Sequence, residues 1–326
     1  MRSYVLCLSL CVVSWVCWAQ NSPVILGAGN LSPFPLSVAP GQLLTLFVQP
    51  GGAISPPTAY TITAVFSNGS DQLMPVLQVS QTNTGCIAPL SAQCPEVLAV
   101  TVQVPYGIRV LCPLCLSPIL SVPNAITVSV NGVTTPTVNV QALADQVHFL
   151  TVCDVIVGGA NSSVPATGGL PCTPMVTHAD GRAVSAILPA MPGEELVAYA
   201  TGLGETNPAL TTGQPAAQSS PTFTIFGIDF NYRANALATK PGAAGVPTAS
   251  PLFTGATKGF VGLYQINFIV PPPPAGLVPC MDNAALPAYG NAVQSNLTVS
   301  VGSNFSFDGA GICVLPSGTA VPLSGS

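Results

Sequence analysis

The chain has 326 residues, 48% hydrophobic and 5% charged, with 34 Pro and 31 Gly but no Gly-X-Y period, which excludes collagen and a highly charged disordered polymer. Six Lys and Arg against 11 Asp and Glu leave a net charge of −5, so nothing electrostatic favours a nucleic-acid backbone. Roughly 300 residues can bury a sizeable core, most naturally as two domains.

Arg2 precedes an apolar run from Tyr4 to Trp18, followed by Cys17-Trp18-Ala19. Small residues at −3 and −1 predict a signal peptide over 1–19, cleaved after Ala19 to leave Gln20 first. At about 15 residues the run is short for a membrane span. Lipid attachment at Cys11 or Cys17 is disfavoured by the bulky Leu10 and by Trp15-Val16, which stand where small residues are needed. Cleavage removes Trp15, Trp18 and three of 11 Cys, leaving eight, and no later stretch predicts a transmembrane segment in the mature chain. The expected location is secreted, in the extracellular space or at the cell surface.

Period-two alternation dominates the rest. Tyr60-Thr61-Ile62-Thr63-Ala64-Val65-Phe66 leads into Asn68-Gly69, and Ala99-Val100-Thr101-Val102-Gln103-Val104 places three Val on one face. Thr127-Val128-Ser129-Val130, Asn131-Gly132 and Thr137-Val138-Asn139-Val140 read as a hairpin on a tight turn. Many short strands separated by Pro- and Gly-rich turns predict a β-sandwich architecture. The Gly-, Ala- and Pro-rich stretches 241–257 and 271–291 read as irregular.

The strands recur. Ala39-Pro40-Gly41-Gln42 lines up with Met191-Pro192-Gly193-Glu194, Val104-Pro105 with Val270-Pro271, and Thr127-Val128-Ser129-Val130 with Thr298-Val299-Ser300-Val301. The offset grows along the chain, as it does when loops lengthen and strands do not. Two tandem modules follow: 20–144, divergent, and 181–326, joined by 145–180.

The second copy carries a recognisable set of motifs: Asp180-Gly181, Pro189-Ala190-Met191-Pro192-Gly193-Glu194, Ala200-Thr201-Gly202-Leu203-Gly204 and Gly259-Phe260-Val261-Gly262-Leu263-Tyr264-Gln265-Ile266-Asn267. Together they resemble the uncharacterised C-terminal domain of exported Solibacter-type Acidobacteria proteins, which is related to immunoglobulin-like IPT/TIG modules. The resemblance covers roughly 145–303 and implies an all-β chain of two tandem immunoglobulin-like β-sandwich modules on a secreted or surface protein. It transfers no catalytic residue. The insertion near 241–257 and the cysteines depart from its pattern, and the larger domain that usually precedes it does not stand in this chain.

The mature cysteines are Cys86, Cys94, Cys112, Cys115, Cys153, Cys172, Cys280 and Cys313. An even count in an exported chain points to disulfides, with local pairing joining 86 to 94, 112 to 115, 153 to 172 and 280 to 313, although eight cysteines allow 105 pairings. Cys112-Pro113-Leu114-Cys115 has the CxxC spacing but sits in a Pro-rich loop, not at a helix N-terminus that would lower a thiol pKa. A structural bridge is therefore expected there.

Candidate chemistry is sparse. His148 and His178 are the only histidines, and neither sits in a motif; His178-Ala179-Asp180 reads as a polar turn before Gly181. Glu194 and Glu195 adjoin and point to opposite faces. Asp229 and Asp308 lack calcium-ligand spacing, and no nucleophile elbow, zinc-binding helix motif or phosphate loop occurs. Alternation places Tyr264 in the core. Sequons begin at Asn30, Asn68, Asn161, Asn296 and Asn304. No cofactor, metal or enzymatic activity is expected. The leading reading is a non-enzymatic interaction or adhesion protein binding a protein or polysaccharide through loops and edges. Its alternatives are a self-assembling subunit of a fibre or surface layer, favoured by the few charges guarding strand edges, and a carbohydrate-binding accessory module, which without Trp would stack sugars on Tyr106, Tyr232 or Tyr289.

Overall fold

The computed structural model describes residues 22–29, 36–51, 56, 59–82, 97–110, 123–152, 154, 157–158, 173–239, 242–280, 294–302 and 308–316. The expected signal peptide and Cys86, Cys94, Cys112, Cys115, Cys153 and Cys172 lie outside the described residues, as do Tyr289 and the sequons at Asn30, Asn161 and Asn304. Among the described residues the fold is all-β, with no α-helix and with sheets built almost wholly of antiparallel pairs.

In the first half, one sheet runs Val24–Gly29, Leu43–Gln49, Val97–Gln103, Val76–Thr82. The other runs Leu36–Val38, Val138–Ala142, Asn124–Val130, Ile62–Ser67, Asp71–Met74. Their apolar faces meet in one cluster that includes Leu44, Leu46, Val48, Val100 and Val102 from the first sheet and Phe66, Ile126 and Val128 from the second. Alternation produces this directly, since every second side chain of a strand points to the same face. The hairpin at 131–132 forms as its residues dictate: Asn131 (φ 52°) and Gly132 (φ 83°) both take the left-handed conformation of a two-residue turn. Val133–Thr134 returns along Asn124–Val130. Thr135 then closes a local kink, its N–H donating to Val128 O at 2.8 Å and its Oγ1 accepting from Val128 N at 3.1 Å. Past Pro136 the chain resumes as Val138–Ala142, with Val138 opposite Ile126.

In the second half, one sheet runs His148–Phe149, Glu195–Thr201, Tyr264–Ile269, Phe253–Ala256, Ser220–Pro221, with Val176–His178 also on Glu195–Thr201. The facing sheet runs Thr248–Ala249, Gly227–Asn231, Leu297–Gly302, Gly309–Ile312. Leu196, Ala198, Tyr264, Ile266 and Phe268 join Ile228, Phe230, Val299 and Val301 in the second cluster. Phe230 and Phe268 stack obliquely at 5.9 Å between ring centroids.

The two halves repeat one another bond for bond around the Pro-Gly turns. Gly41 N donates to Val104 O as Gly193 N does to Val270 O. Val104 N donates to Gln42 O as Val270 N does to Glu194 O. The side chain at the fourth turn position caps the first: Gln42 Oε1 accepts from Ala39 N, and Glu194 Oε2 from Met191 N. Leu43 faces Gln103 as Glu195 faces Ile269, and both turn glycines have positive φ, 73° and 85°. Even the parallel contacts correspond, Leu36–Val38 against Val140–Ala142 and Ala190 against Val314.

One expectation is corrected. The stretch 241–257 is not an irregular insertion, since Thr248–Ala249 and Phe253–Ala256 are strands and the latter pairs with Tyr264–Ile269. Its low β-propensity has a packing cause: a Cβ on Gly255 would come within 2.4 Å of Ser220 O, so only glycine lets the neighbouring strand approach. In 271–280 no regular element forms, and 281–291 lies outside the described residues.

Cys280 and Cys313 form a disulfide with a Cα–Cα distance of 5.6 Å across 33 residues of sequence. Closing a loop of this length contributes on the order of 3–4 kcal/mol in the chain-entropy model. Non-reducing peptide mapping is expected to recover the 280–313 pair, and Cys280→Ser to lower the unfolding free energy by about that amount. An unchanged denaturation midpoint would show that the bridge contributes nothing.

Candidate functional site at the seam between the halves

Two observations compete for attention: the ion-paired histidines and the polar seam between the halves. Each imidazole is spent on the scaffold. His148 pairs Nδ1 with Asp308 Oδ2, and its Nε2 lies 3.4 Å from Asp154 Oδ2. Burial alone would lower its pKa; the hydrogen bonds and charges of Asp154 and Asp308 outweigh that and raise it to about 9. Asp154 is pushed the other way: burial would raise it, but His148 and the Thr151 hydroxyl and N–H hold it down at about 2. His148 is thus a buried cation at neutral pH, unsuited to act as a base. The two carboxylates bind opposite ring nitrogens and so do not converge on one point. Among the described residues no group of three or more His, Cys, Asp or Glu is placed to hold a metal.

His178 is joined by Nδ1 to Glu194 Oε1, while its Nε2 lies 3.3 Å from Leu188 O. Its partner is therefore not Asp180, which is exposed and binds Arg182 through both Nε and backbone N. That bonding lowers the Asp180 pKa, the backbone N–H of Arg182 contributing most. The turn reading of 178–181 holds, closed by Gly181 N to His178 O at 2.9 Å. Glu195 accepts instead from Asn267 Nδ2 at 2.9 Å, so the two adjacent glutamates have separate partners. Asp229 accepts from Thr248 Oγ1 at 2.6 Å and stands one strand removed from Gly309, with Leu297–Gly302 between, so it shares no ligand site with Asp308. Of the two described sequons, Asn68 and Asn296 are both buried, and Asn296 spends its amide on Val314 and Val278.

The seam was not foreseen from alternation, which gave Thr101 and Gln103 to a polar face. Both are buried. Gln103 Oε1 accepts from Gly213 N at 2.6 Å, Leu43 N donates to Thr201 Oγ1 at 2.8 Å, and Tyr106 N donates to Thr212 Oγ1 at 3.1 Å. Tyr264, fully buried as its register predicts, donates from its hydroxyl to Gly204 O at 2.6 Å and meets the Tyr106 hydroxyl at 3.3 Å. Burial raises both tyrosine pKa values, that of Tyr264 well above 10. The backbone approaches closely here: a Cβ on Gly202 would lie 2.0 Å from Gln146 O, one on Gly204 2.1 Å from Ala144 O, and one on Gly262 2.8 Å from Gly41 O. Gly202 and Gly204 have φ of 79° and 83°, as their place around Leu203 predicts.

A cleft of about 310 Å³ opens beside the seam, lined by Tyr106, Glu205, Thr206, Leu210 and the exposed Phe223 among others. Tyr106 itself is no sugar platform, because its ring packs on Gly41 and is buried. Tyr232 donates to Pro271 O, and burial pushes its pKa up to about 12. Tyr232 is half-buried and lines a cleft of about 210 Å³ with Pro274, Gly276 and Leu277.

Searches of protein-family models and of curated proteins return no match to the chain. No helix among the described residues is long and apolar enough to cross a membrane.

Proposed function

We propose that this protein is a secreted or surface-exposed, non-enzymatic interaction protein: two tandem immunoglobulin-like modules that bind a protein partner through end loops and strand edges. The observation that carries the reading is the bonded seam, in which backbone and side-chain hydrogen bonds lock the halves together. A jointed pair of modules would rotate; a locked pair presents its loops at fixed spacing, which lowers the ordering cost of binding. The placement of both imidazoles supports the same reading, because both ring nitrogens of His148 and of His178 face protein groups and neither is turned to an open cleft.

The test uses the mature protein, labelled at the exposed Lys258, to stain cells of the producing organism, alongside a hydrolase and oxidoreductase screen. Saturable staining abolished by protease treatment of the cells, without turnover, is expected. Staining that survives protease but not glycosidase would replace the protein partner by a polysaccharide. No staining, or turnover lost in a folded His178→Gln variant, would overturn the reading.

A further inference from the structure

The cleft beside the seam is built on a short antiparallel bridge, Thr206 against Thr222. Asn207 N donates to Pro221 O at 2.8 Å and Phe223 N to Glu205 O at 3.0 Å, so Glu205 stands directly opposite Phe223. Opposed residues of an antiparallel pair share a face, with Cβ atoms about 5 Å apart. Thr206 and Thr222 take the other face, where Thr206 Oγ1 donates to Pro208 O and the Thr222 and Thr254 hydroxyls meet at 2.9 Å. The register thus sets a carboxylate beside an aromatic ring, and both line the cleft.

The fold uses neither group. Phe223 is 63% exposed. Glu205 is exposed, and among the described residues its carboxylate has no hydrogen bond and no Lys or Arg partner. Asp154, Asp180, Glu194, Glu195, Asp229 and Asp308 each bond a neighbour instead. After burial and Tyr106, the charge of Glu205 is a further cause of the raised Tyr264 pKa, so the carboxylate lies close to the seam. Tyr106, Ala209 and the half-buried Leu210 complete an apolar wall.

An unpaired carboxylate beside an exposed ring, along an apolar wall, is complementary to a cation on an aliphatic stem. Of the two such side chains, arginine fits better. Its planar fork gives a carboxylate two N–H donors, stacks on an aromatic face, and is less strongly hydrated than an ammonium. We infer that this cleft receives an arginine side chain of the protein partner, its guanidinium bonded to Glu205 and stacked on Phe223, its stem along Leu210 and Ala209. That the occupant belongs to a protein rests on the proposed function; the residue it presents rests on the chemistry of the cleft. The net charge of −5 draws a basic segment toward the chain.

Titration of the isotope-labelled mature chain with acetyl-arginine methylamide tests it, read from the amide shifts of 205–210 and 222–225. Saturable shifts concentrated at these amides are expected. The citrulline analogue, alike in shape but uncharged, should bind about tenfold more weakly, and Glu205→Gln should weaken the arginine probe about as much. Phe223→Leu should weaken it about threefold. Both positions are exposed, so the variants should keep the parent's circular dichroism spectrum. An absent or unsaturable shift, citrulline bound as well as arginine, a lysine probe bound more tightly, or the parent's affinity in Glu205→Gln would each overturn the inference. A parent that stains cells but shows no saturable shift removes the arginine site and leaves the proposed function. A parent that binds the probe but stains no cells removes the proposed function and leaves the site.

Discussion

His148→Leu is expected to cost about 3–5 kcal/mol of folding stability, because it deletes the cation and leaves Asp154, with only 13% of its side chain exposed, buried without its counter-charge. The same cluster dictates a pH profile. The His148 pKa is raised from 6.5 to about 9, so its contribution is complete below pH 6.5 and is lost as pH climbs through 9. The Asp154 pKa is lowered from 3.8 to about 2, so its contribution is present above pH 3.8 and is lost as pH falls through 2. Between about pH 4 and 6.5 both are in force. By linkage the alkaline loss is on the order of 3 kcal/mol. Urea denaturation at intervals from pH 5 to 10 reads it directly. A wild-type profile flat across that range, or a variant with the wild-type slope, would show that the imidazole is not held as a cation.

Gly202→Ala is expected to be as damaging, and Gly193→Ala mild, although the two backbones are nearly the same in φ, 79° and 85°. At both positions an L side chain meets left-handed strain of about 1–2 kcal/mol. At Gly193 nothing lies within 4 Å of the new Cβ, and the cost stops there. At Gly202 the methyl would sit 2.0 Å from the backbone oxygen of Gln146, which cannot swing aside, and overpacking adds about 1–3 kcal/mol more. The residue also accepts from Gln146 N at 2.8 Å, so displacement there strains the seam. Thermal unfolding of the two variants side by side separates strain from packing. Equal midpoints would mean that the Gln146 carbonyl does not press on this position.

Much of the fold was legible because its determinants are local. Alternation located the strands Ile62–Ser67, Val97–Gln103 and Tyr264–Ile269, and the paired turns Pro40-Gly41 and Pro192-Gly193 have the same hydrogen bonds that their matching letters imply. The strand at 253–256 escaped notice because its small residues are there to admit a neighbour, a property that belongs to the neighbour as much as to the strand. The histidine pairs were beyond reach for a different reason. Asp308 stands 160 residues from His148, and Glu194 comes to His178 only through the register that sets His178 beside Leu196. No spacing along the chain encodes either. Gln103 misled because a polar residue on an alternating strand ordinarily faces water, and only the arrival of Gly213 explains its burial.

The unequal surroundings of the two Pro-Gly turns decide where this chain tolerates change. A side chain at Gly41 would strike the Tyr106 ring of its own half at 2.2 Å, and that tyrosine is itself bonded to Thr212 and Tyr264 of the second half, whereas Gly193 opens on empty space. Substitution at the first turn is thus constrained by both halves, and at the second by one. Of the two matching turns, the outer one tolerates more, and new surface chemistry has its easiest point of entry at 191–195.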